Sequence, residues 1–395
     1  MEVFKNWSGS MSFKPGQIIA LESEEQLCEL VKKATSEGKK VRVAGAGHSS
    51  SPLVHTKDYL LSLKHFRGVE DPDLKTKRAT VPAGMTVKEA GKDLYRYGLA
   101  MHNTGDVDVQ TLAGAIGTGT HGTGKELPNL SAMLYGLRMI NGKGEIVEIN
   151  RENDPETMQA LQVSMGSCGI FLKMRLQLEP AYQLYRKEYC VSFKDCMQNF
   201  EELKKNRNFD FYWYPRTDLC KIRIMNTDKE KMPHISYGSP ELEREGPSHE
   251  ILPRSRDLKF DEMEYVLPQE KAMECFYEVR KQVKEKWRRT VAWRLLIRTI
   301  KKDDALISPM SGRESVTISL HHNAGLRFWD YFKAIEPLFL KYGGRPHWGK
   351  KHTLKAGTLK ELYPHWDRFQ KIRKKFDPES TFLTPYMNEL FNFEK

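Results

Sequence analysis

The chain has 395 residues, 39% of them hydrophobic and 29% charged, with 19 prolines; this supports two folded domains with their own cores and excludes a disordered protein. The formal charge of +11 is basic, but acids and aromatics interrupt the densest runs, "RKQVKEKWRRTVAWR" and "KIRKKF", and no finger or RNP-like signature accompanies them. A solvated face that steers anionic ligands is therefore expected, with no nucleic acid as partner.

The opening stretch, "MEVFKNWSGSMSFKPG", has no apolar core of the kind a secretory leader carries, and no apolar run reaches membrane-spanning length. The six cysteines are scattered without a CxxC pair, which points to reduced thiols in a cytoplasmic protein and to no metal site. Ser23 and Gln26 form a capping box ahead of Leu27, Leu30, Val31 and Ala34 at helical spacing, and Gly38 supplies the stop. "KKVRVAG" follows as a strand. A second helix starts at Thr86, boxed with Glu89, and runs to Gly98; "LRMINGKGEIVEI" is a hairpin turning on Asn141-Gly142. Beyond residue 180 glycine thins out and aromatic and charged residues dominate. Residues 226–258 are polar and contain prolines, and read as a long loop or mobile insertion over the pocket. Helix-like "QEKAMECFYEVRKQVKEKW" and strand-like "TVAWRLLIRTI" and "ESVTISLHHN" come next. The mixture implies an α+β fold of two domains, 1–180 and 181–355, with a segment 356–395 returning to the first.

Two stretches cleared of side chains carry the functional signal. In "VRVAGAGHSSSPLV" the glycines almost match a dinucleotide fingerprint, but Ser50 holds the third glycine position and Pro52 and His55 interrupt any following helix. A Rossmann reading fails on that context. What remains is a loop in which Gly45, Ala46 and Gly47 let backbone N–H groups approach a diphosphate, with Ser49, Ser50 and Ser51 as further donors. The second stretch, "TLAGAIGTGTHGTG", has four threonines, five glycines and again one histidine. Together the two read as opposite walls of one extended cofactor site.

These stretches, with "SMGSCGIF" and "GGRPHWGKKHTL" further on, make the chain resemble the vanillyl-alcohol-oxidase superfamily of PCMH-type FAD flavoproteins. The likeness runs nearly end to end and is greatest to its sugar-1,4-lactone oxidase branch, which includes L-gulonolactone oxidase and alditol oxidase. The resemblance implies a PCMH-type FAD-binding domain, an α+β cap domain for substrate, and FAD bonded through its 8α carbon to His48. It implies flavin contacts from Thr111, Gly114, Thr118, Gly119, Thr120 and His121, and a backbone contact from Ile170. His347 and Lys350 match its motif near the C-terminus, and Gly105 aligns with the position that controls oxygen access.

The expected reaction is oxidation of a carbohydrate alcohol, most simply an aldono-1,4-lactone of the L-gulono, L-galactono or D-arabinono type, with hydride passing to flavin and O2 returned as H2O2. An alditol or sugar oxidase, or a dehydrogenase feeding a quinone or cytochrome, is the alternative. Such chemistry needs positive charge beside the flavin and a proton acceptor. Alternation places Arg294, Leu296 and Arg298 on one strand face, with Arg294 open to a solvent-facing reading. Arg298 and Lys350 are the expected charge-stabilising pair. The family's glutamate two residues before the arginine is replaced by Leu296, which deprives Arg298 of an orienting carboxylate. His321 and Asp106, the latter standing where relatives carry serine, are the candidate proton acceptors, each also open to a role as a polar contact to substrate or flavin.

Overall fold

The computed structural model describes residues 2–253 and 258–392. The first helix, Glu24–Ser36, begins where the Ser23 side chain accepts from Gln26 N–H, and ends before Gly38 at φ +65°. The box is only half closed, since the Gln26 side chain receives Glu22 N–H rather than that of Ser23. The second helix, Val87–Arg96, has both halves of its Thr86–Glu89 box. The hairpin pairs Leu134–Ile140 with Ile146–Asn150. Its turn is wider than two residues: Asn141 Oδ1 accepts from Lys143 and Glu145 N–H, and Gly144 takes the left-handed position at φ +72°.

Two small sheets form the N-terminal part. One is parallel, with Tyr59–Ser62 between Gln17–Ala20 and Val41–Val43. The other is antiparallel, in the order Ile146–Asn150, Leu134–Ile140, Ile170–Gln177, Arg78–Pro82, Glu70–Asp73.

An eight-stranded antiparallel sheet dominates the remainder. Its order is Gly238–Pro247, Gln183–Ser192, Leu219–Asn226, Asn208–Tyr214, Leu295–Ile300, Ser315–Asn323, Phe260–Pro268, Arg345–Pro346. One face is apolar and lies under helices Gln269–Gln282 and Trp329–Lys341: Phe276 meets Phe211 and Trp213 edge-on, and Phe339 stacks on Tyr265 at 4.9 Å. The opposite face is charged and turns toward the N-terminal part. Alternation along each strand separates the two sets.

Of residues 226–258, 227–237 are turns and irregular chain as expected, but 238–251 are not. Gly238–Pro247 is an edge strand paired with Gln183–Ser192 along nearly its whole length, and Ser248–Ile251 is helical. Its face is mostly exposed, so it needs no apolar residues; Pro240 and four charges in "SPELEREGP" blunt an edge that would otherwise template aggregation. Residues 254–257 of that stretch lie outside the described residues. The C-terminal helices Ala356–Leu362, Trp366–Phe376 and Pro385–Phe391 pack back on the N-terminal part. There Val41 N–H donates to Thr381 O at 3.0 Å, Gly142 N–H to Phe376 O at 2.8 Å, and Arg42 Nη1 to Phe382 O at 3.0 Å.

Candidate active site

The loop after strand Val41–Val43 and the loop that leads into helix Leu112–Gly117 touch directly. A Cβ on Gly45 would lie 2.0 Å from Thr111 Oγ1, so only glycine permits the approach. Gly47, at φ +66°, turns the chain so that its carbonyl accepts Trp7 N–H at 2.7 Å. The loop is then tied to the C-terminal motif: Ser50 N–H donates to Gly349 O at 2.8 Å, and the Ser51 hydroxyl to Trp348 O at 2.7 Å. That use turns Ser51 into a structural tie rather than a ligand donor.

A cleft of about 340 Å³ runs along these loops, lined by Gly45, Ala46, Gly47, Thr111, Gly114 and Ile170 among others. At its inner end it opens into a second, polar cavity, and His48, Ser49, Gln110 and Thr118 border both. Ser50, Gly105, Asp106, Thr120, His121, Arg298, His321, His347 and Lys350 all line the second cavity. The structure thus gathers the candidate residues around one connected space, with one exception. Gly119 borders neither cavity; at φ +70° it makes the turn after helix Leu112–Gly117 and faces Val163 and Pro309.

His48 stands at the junction. Trp7 stacks on its imidazole at 4.6 Å, and among the described residues its buried Nε2 has no hydrogen-bond partner. Burial, aided by the charges of Lys350 and Lys259, lowers its pKa to about 4, so the ring is neutral at physiological pH.

The floor of the polar cavity is the charged face of the large sheet. Glu262 pairs in register with His321, and Glu264 with Ser319, which itself pairs with Leu296. Sequence reading missed both glutamates. The signal was present in "FDEMEYVLP", where acids alternate with Met263 and Tyr265; a strand with acids on one face and core residues on the other buries those acids only where something charged meets them.

What meets them is a lysine ammonium and two imidazoles. Lys350 Nζ pairs with Glu262, and His321 Nε2 lies 3.6 Å from Glu262 Oε1. Burial alone would raise the Glu262 pKa, yet Lys350 and His321 hold it well below the carboxylate range. His121 Nε2 lies 3.0 Å from Glu264 Oε1. Burial opposes ionisation of Glu264 too, but His121, Arg298 and His347 keep it ionised.

Arg298 therefore has its orienting carboxylates despite Leu296. Burial would lower its pKa, but Asp106, Glu264 and Asp210 raise it, and Nη1 donates to His121 O at 3.1 Å. Arg294 does not point to solvent; its guanidinium lies over Tyr212, 4.4 Å from the ring centre. Asp106 is committed as well: Arg223 Nη2 reaches its Oδ1 at 3.1 Å and the Tyr212 hydroxyl its Oδ2 at 2.8 Å. Held this way it is a poor proton acceptor, and of the two candidates His321 is the better placed.

Hydrogen bonding fixes the tautomers. A carbonyl oxygen only accepts, so His321 Nδ1 carries a proton for Arg294 O at 3.1 Å, and His121 Nδ1 one for Gly122 O at 2.9 Å. His347 is reversed: its Nδ1 accepts Gly349 N–H at 3.0 Å, which places its proton on Nε2. His121, Glu264 and His347 cluster tightly enough to suggest metal ligation, but a histidine whose Nδ1 accepts from backbone would have to bind metal as an imidazolate. The cluster is built to donate and accept hydrogen bonds.

The residues present fit an FAD. The cleft has backbone approach where a Cβ would block it, and its far end is walled by Ala83, Gly84, Ile170 and Phe171. Its inner end offers a neutral imidazole facing a charged cavity. Cleft, cavity and imidazole define a two-domain, flavin-dependent oxidoreductase. Residues 15–150 match the family model of the FAD binding domain, and residues 174–241 and 234–390 match that of D-arabinono-1,4-lactone oxidase. The chain belongs to the D-arabinono-1,4-lactone oxidase family. It is 30% identical to an L-gulono-1,4-lactone dehydrogenase of Mycobacterium tuberculosis over 97% of this chain and 98% of that protein. It is 27% identical to the L-gulonolactone oxidase of Bos taurus over 98% of each. Among solved structures, cholesterol oxidase from B. sterolicum shares the fold, with a TM-score of 0.84 at 14% identity over 98% of this chain and 96% of that one. The expected α+β architecture and family are borne out.

Proposed function

We propose that this protein oxidises an aldono-1,4-lactone at a carbinol carbon, with FAD carried covalently on His48 and O2 as the final acceptor. The observation that carries the reading is the junction at His48, where the cofactor cleft opens onto a floor of paired cations and carboxylates. The names of the relatives supply the substrate class. The six cysteines are all unpaired, which fits the reducing compartment in which we place the protein.

FAD would be held by the 44–49 and 111–118 loops and would supply a hydride acceptor. The chain's own residues do the rest. His321, its Nδ1–H fixed on Arg294 O, presents Nε2 to take the hydroxyl proton, and Glu262 stabilises the imidazolium that forms. Arg298 and Lys350 place positive charge in the cavity, where negative charge develops as the hydroxyl proton leaves and would then pass to the hydride acceptor. The neutral His48 keeps a lone pair for the flavin, and Trp7 shields it from water.

The test is anaerobic mixing with L-gulono-, L-galactono- and D-arabinono-1,4-lactone, alditols and free sugars. Bleaching of the yellow chromophore by a lactone, and colour that stays with acid-precipitated wild type but leaves His48→Ala, are expected. No bleaching by any lactone rejects the substrate class; a colourless wild-type precipitate rejects the covalent link.

A further inference from the structure

We infer that Glu264 is a specificity-determining residue: it grips a hydroxyl on the carbon next to the one oxidised, and so restricts the enzyme to substrates with two adjacent hydroxyls. The inference rests on the lactone reading above and adds a second contact to it.

The sheet register carries the argument. Leu296, Ser319 and Glu264 occupy one cross-strand row, so side chains at these positions share the face that forms the cavity floor. Leu296 is fully buried and is not among the residues lining the cavity, whereas Glu264 lines it. The carboxylate missing at the first position of the row is thus available at its third. Glu262 and Glu264 are two residues apart on one strand, roughly 6–7 Å along it. Two carboxylates so spaced can serve neighbouring groups of one small ring. Glu262 is engaged by Lys350 and faces His321, which takes the reacting proton; Glu264 faces the group beside it.

The hydrogen-bond inventory says what that group is. Glu264 Oε1 is buried against His121 Nε2 at 3.0 Å, and the carboxylate also borders the polar cavity. Among the described residues, Ser319 Oγ, next in the row, and Arg298 Nε are buried without a hydrogen-bond partner. Buried polar atoms are rarely left unmatched unless a ligand completes them. Surrounded by His121, Arg298 and His347, Glu264 stays ionised and can only accept. It therefore selects a hydroxyl and rejects a carbonyl or ring oxygen at that point.

The experiment compares the lactone that reduces the wild-type holoenzyme with its analogue lacking the hydroxyl next to the oxidised carbon. A hydrogen bond to a buried charge should favour the parent in kcat/KM by about tenfold to a hundredfold. In Glu264→Gln the ratio of kcat/KM for parent over deoxy analogue should fall toward one, whatever common loss the altered setting of Arg298 imposes on both. Equal kcat/KM for both lactones in the wild type overturns the inference, even if the variant does not fold. So does a Glu264→Gln enzyme in which both substrates fall by the same factor and the ratio is unchanged. If no lactone reduces the wild type, it is the assigned reaction that fails, and the two failures are told apart.

Discussion

Gly105 lines the polar cavity beside the His121 turn. A Cβ there would sit 3.3 Å from Thr120 Cγ2 and 3.4 Å from His121 O, tight but accommodated by a small shift. Gly105→Ala should therefore fold and bind FAD while filling the space an O2 molecule would use. Oxygen-dependent reoxidation is expected to slow by about tenfold, or about 1.4 kcal/mol of barrier, with turnover against a dye acceptor nearly unchanged. Parallel loss of both activities would show that oxygen does not enter past residue 105. The position was legible through the family resemblance, in which Gly105 aligns with the position that controls oxygen access. Glu262 and Glu264 were not, because their meaning comes from partners some 60 to 140 residues away: His321, Lys350 and His121. A buried acid is identified by what neutralises it, and sequence does not show the pairing.

At the scale of elements, local chemistry reads well where it is self-contained. The Thr86–Glu89 box is one case, and it also reaches the site. The first amides of helix Val87–Arg96 are taken up by the flavin-side loop, Val87 N–H by Gln110 O at 2.8 Å and Lys88 N–H by Asp108 O at 2.9 Å. Thr86 itself bridges to Thr111. Thr86→Ala removes the acceptor for Glu89 N–H and should cost about 1–2 kcal/mol of stability. Because the cap holds residues 108–111, the variant should also expose its flavin at a lower temperature than the wild type, followed as a rise in flavin fluorescence during a thermal ramp. Ser23→Ala, at a helix with no residue lining the cleft, should lower stability without that early rise in fluorescence. Where local chemistry is ambiguous the reading fails, as at Gly238–Pro247: an edge strand with an exposed face has the composition of a loop, and only its pairing partner distinguishes them.

The whole molecule closes the site by bringing three distant stretches together: the N-terminal segment, whose Ser10 hydroxyl reaches Asp261 at 2.8 Å; the glycine loop, bonded through Ser50 to Gly349; and the C-terminal motif. That closure buries histidines far from water. Burial lowers His347 to about 3 and His352 to about 4, the first modulated by Glu264 and His121 and the second through burial alone. In the unfolded chain both return to near 6.5. Below that value the unfolded state takes up protons that the folded state refuses, so folding stability falls as pH drops from about 6.5 toward 4. Asp303 works against this trend. Burial raises it to about 7, so between its unfolded value and that point the folded state holds the extra proton, and stability declines as pH rises. The histidines that burial holds low, His48 and His102 with these two, outnumber the aspartates that burial holds high, Asp303 and Asp377, and the net slope is positive. Melting temperature should therefore drop from pH 7 to pH 5, and His352→Gln should flatten the slope by up to about 1.4 kcal/mol per pH unit, the equivalent of one proton. His352 is the informative choice, because it borders neither cavity and its Nδ1 accepts only Leu354 N–H. A melting temperature that is level across this range, or a slope unchanged in the variant, would mean that the interior admits protons and water to these rings without unfolding.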